Sequence, residues 1–143
     1  MGNVPSQLSR LTNLEVLYMF ENAFSGTLPS KMGEMSSLTN FVAYENYLSG
    51  TIPVDLFRLQ GLKTINLGNN TLSGKLPSEI GRLEKLEIID IFKNELSGSL
   101  PSEIGKLTSA RAIYLERNMV SGEKRNFLCL AILRMCVNLR FIS

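Results

Sequence analysis

The side chains of this sequence that are suited to chemistry are few. Glu21 and Glu45 lie 24 residues apart, and a pair of carboxylates can serve acid–base catalysis or bind calcium. The sequence indicates neither a third ligand nor a cleft beside them, which favours ordinary solvated side chains. The chain has no histidine, which excludes Ser-His-Asp and Cys-His nucleophiles and every histidine-based metal site. We therefore expect no enzyme activity, no metal site and no cofactor.

Two short motifs carry further chemical signals. Residues Gly68 to Lys75 superficially resemble a phosphate-binding loop, but five residues instead of four separate the glycines and Leu76 stands where Ser or Thr is required. Asn69-Asn70-Thr71 is an acceptor sequence for N-glycosylation, which has meaning if the parent protein is secreted. An occupied glycan on Asn69 would count against ligand binding on the surface around it.

Charge and hydropathy narrow the range of partners. The chain carries 15 Lys and Arg against 13 Asp and Glu, a net charge of +2, whereas nucleic-acid binding needs a dense basic surface. No stretch reaches the roughly 18 to 20 apolar residues that span a bilayer, and the start Met-Gly-Asn-Val-Pro is unlike a secretory signal. We expect no nucleic-acid partner and no membrane segment in this chain, and the oligomeric state stays open.

A repeat of 24 residues positions these side chains. The five prolines of the chain are Pro5, Pro29, Pro53, Pro77 and Pro101. Asparagines recur in the same period at Asn22, Asn46, Asn70, Asn94 and Asn118. Ser-Gly pairs keep the same spacing, and three sets of residues in phase indicate an array of equivalent structural units.

Each unit predicts one short strand, followed by a turn. Alternating apolar positions such as Leu17-x-Met19 and Ile65-x-Leu67 are typical of a strand with one buried face. The Pro-x-x-x-Gly stretch ends the extended run, and short helical or 3₁₀ turns are predicted over 78–83 and 102–107. Since no unit can bury its apolar face alone, the units must stack.

The periodic asparagines are predicted to be structural. A sharp turn after each strand leaves backbone N–H and C=O groups in the interior, and a carboxamide supplies both donors and an acceptor for them. We therefore expect Asn22, Asn46, Asn70, Asn94 and Asn118 to form a ladder.

The unit LxxLxxLxLxxNxLSGxLPxxIG, nearly intact from Leu86 onward, resembles the plant-type leucine-rich repeat family, as found in the ectodomains of receptor-like kinases and receptor-like proteins. The resemblance implies an α/β fold: a right-handed solenoid with a parallel sheet on its concave side and turns or short 3₁₀ or helical segments on its convex side. It also implies recognition of peptides, proteins or small ligands by the concave face, at an extracellular or plasma-membrane location.

The repeat frame divides the chain into two parts. Residues 1–122 form the array, with a partial repeat at 1–13 and repeats that start at 14, 38, 62, 86 and 110, and residues 123–143 form a degenerate tail or cap. The family's cysteine-paired N-terminal cap is absent, and we interpret the chain as a fragment or degenerate product of something longer. Cys129 and Cys136 weakly resemble a closing cysteine pair, but its usual Gly and Pro are absent. We therefore expect two unpaired thiols in an apolar tail.

Three columns of side chains are predicted on the concave face, where adjacent strands lie about 4.8 Å apart. The aromatic column is Phe20, Tyr44, Gly68, Phe92 and Glu116. The charged column, which changes from acidic to basic, is Glu21, Glu45, Asn69, Lys93 and Arg117. The third column is Tyr18, Val42, Asn66, Asp90 and Tyr114. Exposed aromatic side chains are typical anchors for a partner, although the rings can instead pack on one another and the charged residues can be merely solvated.

These columns favour a recognition module that binds a protein or peptide ligand on the concave face, within a larger receptor-like protein. Two alternatives remain: a structural or surface-binding protein that contacts a polysaccharide, cell wall or ice, and a fragment with no independent function. Regular arrays of one residue type on a flat face would favour the surface-binding role, and the mixed columns do not.

Overall fold

The computed structural model of the chain describes residues 2–121. In this part of the chain, pairs of strands alternate with short 3₁₀ helices. The elements in chain order are β1 (Gly2–Asn3), η1 (Ser6–Arg10), β2 (Val16–Tyr18), β3 (Phe24–Thr27), η2 (Ser30–Glu34), β4 (Asn40–Val42), β5 (Tyr47–Gly50), η3 (Val54–Arg58), β6 (Thr64–Asn66), β7 (Thr71–Gly74), η4 (Ser78–Arg82), β8 (Ile88–Asp90), β9 (Glu95–Ser99), η5 (Ser102–Lys106), β10 (Ala112–Tyr114) and β11 (Met119–Ser121).

The strands form two parallel sheets that run along the array. The five-stranded sheet has the order β2-β4-β6-β8-β10, and Leu17, Phe41 and Ile65 pair across it in register. The six-stranded sheet has the order β1-β3-β5-β7-β9-β11. Because each strand pairs with its equivalent in the next repeat, the array is a leucine-rich repeat solenoid, which confirms the predicted fold class.

The prediction of one strand in each repeat was wrong, because the Leu-Ser-Gly segment forms a second one. In β5, buried Leu48 lies between exposed Tyr47 and half-buried Ser49, which is the alternation of a strand. Gly50 at the end of this strand has a φ of +71°, a left-handed conformation that costs glycine little. The Ser-Gly pairs resemble turn signals in the sequence, and this resemblance hid the six-stranded sheet.

The short turns opposite the five-stranded sheet are 3₁₀ helices. η4 covers Ser78–Arg82 and η5 covers Ser102–Lys106, as predicted for these two segments. Each of the five 3₁₀ helices begins directly after a proline of the repeat, with that proline in the extended conformation. A proline at this point has its φ already set and needs no hydrogen-bond acceptor for its nitrogen.

One hydrophobic core runs through the repeats. Leu62, Ile65, Leu67 and Leu72 of a central repeat have at most 1% of their surface exposed. The equivalent Leu14, Leu17 and Phe24 near the start are only partly buried. Burial is therefore completed by the neighbouring repeats on both sides, as expected for a stacked array.

Four of the periodic asparagines join each repeat to the one before it. The Asn70 amide donates to the carbonyl of Ala43 in the preceding repeat (3.0 Å) and to that of Leu67 in its own repeat (3.1 Å). Its oxygen accepts the backbone N–H of Leu48 at 3.0 Å. Equivalent bonds are made by Asn46, Asn94 and Asn118. Asn22 is exposed, and its amide donates to the carbonyl oxygen of Phe20 at 2.7 Å.

The residue directly before each of these asparagines has a left-handed backbone. The positive φ angles are 51° at Glu21, 52° at Glu45, 54° at Asn69, 52° at Lys93 and 55° at Arg117. Residues other than glycine adopt this region rarely, and asparagine tolerates it better than most. Since the five positions are those of the charged column, one backbone turn orients all of its side chains.

The 3₁₀ helices of neighbouring repeats pack closely where glycine is present. A Cβ placed on Gly81 would lie 2.7 Å from Cβ of Glu103 and 2.8 Å from its carbonyl oxygen. The equivalent position in η3 is Phe57, whose ring is buried with 1% exposure. One repeat therefore carries a large side chain where the next has room for none.

We expect Asn70→Ala to lower the free energy of unfolding by about 1 to 3 kcal/mol, because the buried Leu48 N–H and several carbonyls lose their partner. Chemical denaturation monitored by circular dichroism measures the loss. The matched control is Asn22→Ala, which removes an exposed side chain and should change stability by less than about 0.5 kcal/mol. Equal losses in the two variants would show that the bonds between repeats contribute nothing specific.

We expect Glu45→Val to destabilise the array by about 1 to 2 kcal/mol, because a β-branched residue is strained in the left-handed region. Glu45→Asn should be neutral or stabilising, since Asn69 occupies the equivalent position with a φ of 54°. The control Glu95→Val lies in strand β9, where a β-branched residue is favourable. Denaturation midpoints of the three variants check the order. A Glu45→Val variant at least as stable as the Glu45→Asn variant would contradict it.

Candidate functional site

The candidate site is the exposed face of the five-stranded sheet. Side chains such as Phe41, Ile65 and Ile89 point into the core, so their strand neighbours point away from it. Tyr18 is 59% exposed and Phe20 is 36% exposed. Each of the three predicted columns contains exposed or half-buried side chains on this face, and only Gly68 among their residues is buried.

Two rings of the aromatic column stack on each other. The ring centroids of Phe20 and Tyr44 are 4.9 Å apart, with 2° between the ring planes. Tyr18 adds a tilted contact, with its centroid 5.9 Å from that of Phe20. Phe20 is nevertheless 36% exposed. The rings therefore both pack on one another and face solvent, which combines the two interpretations of this column.

Carboxylates border the aromatic stack. The hydroxyl of Tyr44 donates a hydrogen bond to Oε1 of Glu21 at 2.9 Å. This bond raises the pKa of Tyr44 above its usual value, and partial desolvation and the charges of Glu21 and Glu45 add to the increase. A phenol is protonated at neutral pH even without this increase, so Tyr44 donates to Glu21 beside the rings under those conditions.

Gly68 interrupts the aromatic column between Tyr44 and Phe92. A Cβ at Gly68 would lie 3.2 Å from Oδ1 of Asp90 and 3.4 Å from Oδ1 of Asn66. Asn66 Oδ1 accepts the N–H of Gly68 at 3.1 Å, and Asp90 Oδ1 accepts the N–H of Phe92 at 3.0 Å. These two polar side chains turn back onto their own backbone and form the floor of a gap in the column.

Asp90 is a half-buried acid of this face. Burial raises the pKa of its carboxyl, the hydrogen bond from Phe92 N–H lowers it, and the nearby charge of Glu116 raises it, with an increase as the net result. Its carboxylate is therefore easier to protonate than a solvated one.

At the other end of the column, Phe92 carries a cation from the chain itself. The guanidinium carbon of Arg117 lies 5.3 Å from the centroid of the Phe92 ring, within the range of a cation–π interaction. Lys93 is exposed beside them. The charged column is thus acidic at Glu21 and Glu45 and basic at Lys93 and Arg117, and Asp90 and Glu116 place two carboxylates in the same repeats as the basic pair.

A fourth column on the same face was not predicted. It contains Val16, Asn40, Thr64, Ile88 and Ala112, the first residues of the five strands. Val16 is 43% exposed and Ile88 is 37% exposed. The alternation at Leu17 and its equivalents was a sufficient signal, since both neighbours of a buried strand residue face the same way.

The six-stranded sheet presents a second regular surface that was not predicted. Thr27, Ser49 and Thr71 lie side by side in register across three strands. The Thr71 hydroxyl donates to the carbonyl oxygen of Leu48 at 2.9 Å. This row places three hydroxyl side chains on neighbouring strands, although their positions in the 24-residue repeat are not equivalent.

The remaining sequence predictions concern the glycosylation sequence, the two cysteines, and the expected absence of a metal site and of a membrane segment. Asn69 of the glycosylation sequence is half-buried at the edge of the exposed face. Cys129 and Cys136 lie outside the described residues. Within 2–121, no three acidic or cysteine side chains come together as a metal site, and no helix of that part is long and apolar enough to cross a membrane.

Comparisons with known proteins agree with this architecture. The family model described as Leucine Rich Repeat matches residues 61–83 and 85–107. The chain is 36% identical to the ectodomain of the plant membrane receptor kinase GASSHO1/SCHENGEN3 from Arabidopsis thaliana, solved with CASPARIAN STRIP INTEGRITY FACTOR 2, with a TM-score of 0.87 over 96% of this chain. It is 31% identical to the ectodomain of the Arabidopsis receptor kinase HAESA, solved with an IDA peptide hormone ligand, with a TM-score of 0.86 over 92% of this chain.

A third similar structure is a plant ice-binding protein, with 26% identity and a TM-score of 0.80 over 84% of this chain and 39% of that one. The chain spans 16% of the GASSHO1/SCHENGEN3 ectodomain and 22% of the HAESA ectodomain. Comparison with the curated proteins finds no significant match. The family match, the similarity to receptor ectodomains and the paired sheets together show that the chain carries leucine-rich repeats of the plant type.

Proposed function

We propose that the chain is a recognition module that binds a peptide or protein on the exposed face of the five-stranded sheet, without catalysis. The observation that carries this proposal is the aromatic column, in which Phe20 is exposed and Tyr44 and Phe92 are half-buried, with charged residues beside it. Aromatic side chains bury much area for little loss of conformational entropy, which makes them frequent anchors of interfaces.

Two of the similar structures support a peptide or protein as the ligand. The GASSHO1/SCHENGEN3 ectodomain was solved in complex with CASPARIAN STRIP INTEGRITY FACTOR 2, and the HAESA ectodomain with a peptide hormone. This chain corresponds to a small part of each, so binding here would involve a section of a longer ligand-binding surface, as in a larger receptor-like protein.

The charges of the face would orient such a ligand. Glu21 and Glu45 lie at one end, and Lys93 and Arg117 lie three repeats further along. Opposite charges steer a partner during encounter and fix its direction more than they add affinity. A bound segment would therefore place its basic residues toward Glu21 and its acidic residues toward Arg117.

We expect simultaneous replacement of Phe20, Tyr44 and Phe92 by Ala to weaken binding of peptides selected on the wild-type chain by at least about tenfold, since each anchor contributes on the order of 1 kcal/mol or more. The peptides come from a displayed library of random sequences, long enough for an extended peptide to cross all strands of the five-stranded sheet. Titration calorimetry measures the affinities.

The matched control replaces two exposed side chains of the six-stranded sheet, Tyr47 and Met119, which are 55% and 65% exposed. This variant should bind the selected peptides as the wild type does. If the triple variant binds equally well, or if selection yields no peptide, the proposed function is wrong.

A second candidate function is binding to a regular surface such as ice. The in-register row of Thr27, Ser49 and Thr71 supports it, as does the 26% identity to a plant ice-binding protein. On this proposal the six-stranded sheet, and not the aromatic column, contacts the surface.

If this second function holds, the chain should slow the recrystallisation of ice, and Thr27→Lys with Thr71→Lys should remove the effect because two long charged side chains break the flat array. Crystal growth in a frozen sucrose solution is the measurement. The control is the Phe20, Tyr44 and Phe92 triple variant, which should keep full activity. If ice crystals grow as fast in the presence of the chain as in the presence of albumin, a protein control, the surface-binding role is excluded.

A further inference from the structure

The two ends of the aromatic column differ in whether a ring has its own cation. Phe92 is covered by the guanidinium of Arg117, whose carbon lies 5.3 Å from the ring centroid. Arg117 is the charged-column residue of the following repeat, 25 residues further along the chain. The same offset from Phe20 leads to Glu45, and from Tyr44 it leads to Asn69.

These three positions share one backbone geometry. The φ angles are 52° at Glu45, 54° at Asn69 and 55° at Arg117, so their side chains leave the backbone in the same direction relative to the preceding ring. The position that supplies a cation to Phe92 therefore supplies a carboxylate beside Phe20 and a neutral amide beside Tyr44.

No cation of the described residues neutralises this end of the face. The ion pairs within residues 2–121 join Arg58 to Asp55 and Arg111 to Glu87. Glu21 and Glu45 take part in neither, and the hydrogen bond that Glu21 accepts comes from the neutral hydroxyl of Tyr44. Two exposed carboxylates thus lie beside a pair of stacked rings.

We propose that Tyr18, Phe20, Glu21, Tyr44 and Glu45, here named the aromatic–acidic patch, bind an arginine side chain of the peptide partner. A guanidinium is planar, stacks on aromatic faces and donates several hydrogen bonds to carboxylates. It would lie against the ring surface that the Phe20–Tyr44 stack leaves open, with Glu21 and Glu45 accepting its N–H groups. This inference rests on the proposed recognition function and names the residue that the ligand contributes.

The decisive variant is Glu45→Arg, which supplies the cation from the chain itself. Arginine is already present at the equivalent Arg117 with nearly the same φ, so the substitution suits the backbone. The new guanidinium would place a positive charge beside the Phe20–Tyr44 stack and repel an incoming one. Glu95→Arg is the matched control, because it makes the same charge change at an exposed site on the six-stranded sheet.

Selection of random peptides on the wild-type chain should enrich arginine at one position. Changing that arginine to glutamine in a synthetic peptide should weaken binding about tenfold, as expected for a cation–π contact together with exposed ion pairs. Glu45→Arg should lower the affinity for the arginine peptide by a similar factor, and Glu95→Arg should leave this affinity unchanged. The double variant Glu21→Gln with Glu45→Gln tests the carboxylates independently of the added arginine.

Several results would overturn the inference. The inference is wrong, while the recognition function stands, if the selected peptides show no enrichment of arginine or if the arginine and glutamine peptides bind equally well. It is also wrong if both the Glu45→Arg variant and the double glutamine variant bind the arginine peptide with full affinity. Equal affinity for a lysine peptide would exclude recognition of the guanidinium. Failure to select any peptide would reject the recognition function and this inference together.

Discussion

The hydrogen bonds of the buried asparagine amides are the constraint on which the rest of this solenoid depends. Each strand of the five-stranded sheet must end in a sharp turn, and the turn leaves peptide groups inside the molecule with no strand partner. The Asn70 side chain forms hydrogen bonds with backbone groups of its own repeat and of the preceding one. A buried peptide group without a partner is costly, so this single side chain fixes both the shape of the turn and the spacing of neighbouring repeats.

The turn also determines how the exposed face is presented. Because the residue before each asparagine is left-handed, its side chain leaves the sheet in a direction that an extended residue would not take. Glu45 and Arg117 occupy this position with opposite charges. The interior is thus held constant by the repeat, while the residues that meet solvent are free to differ from one repeat to the next.

The features that depend on period could be predicted from the sequence, whereas those that depend on contacts could not. The stacking of repeats, the strands around Leu17 and Ile65, and the 3₁₀ turns after Pro77 and Pro101 all follow from residues that recur every 24 positions. The six-stranded sheet was missed because Ser-Gly is a turn signal by local propensity, and only pairing with the next repeat makes it a strand. On the exposed face, the columns follow from the register, but the stacking of Phe20 on Tyr44 depends on rotamers and long-range contacts. Period therefore predicts where a residue faces, and not what it touches.

Phe57 has a consequence for the shape of the whole surface. Between η4 and η5, Gly81 allows the backbones to approach until no Cβ would fit, whereas the buried ring of Phe57 occupies the equivalent space in η3. The arc of a solenoid is set by the difference in spacing between its two sides, summed over small rotations of each repeat. The curvature of the exposed five-stranded sheet is thus influenced from the opposite side of the molecule, by the buried side chain of Phe57.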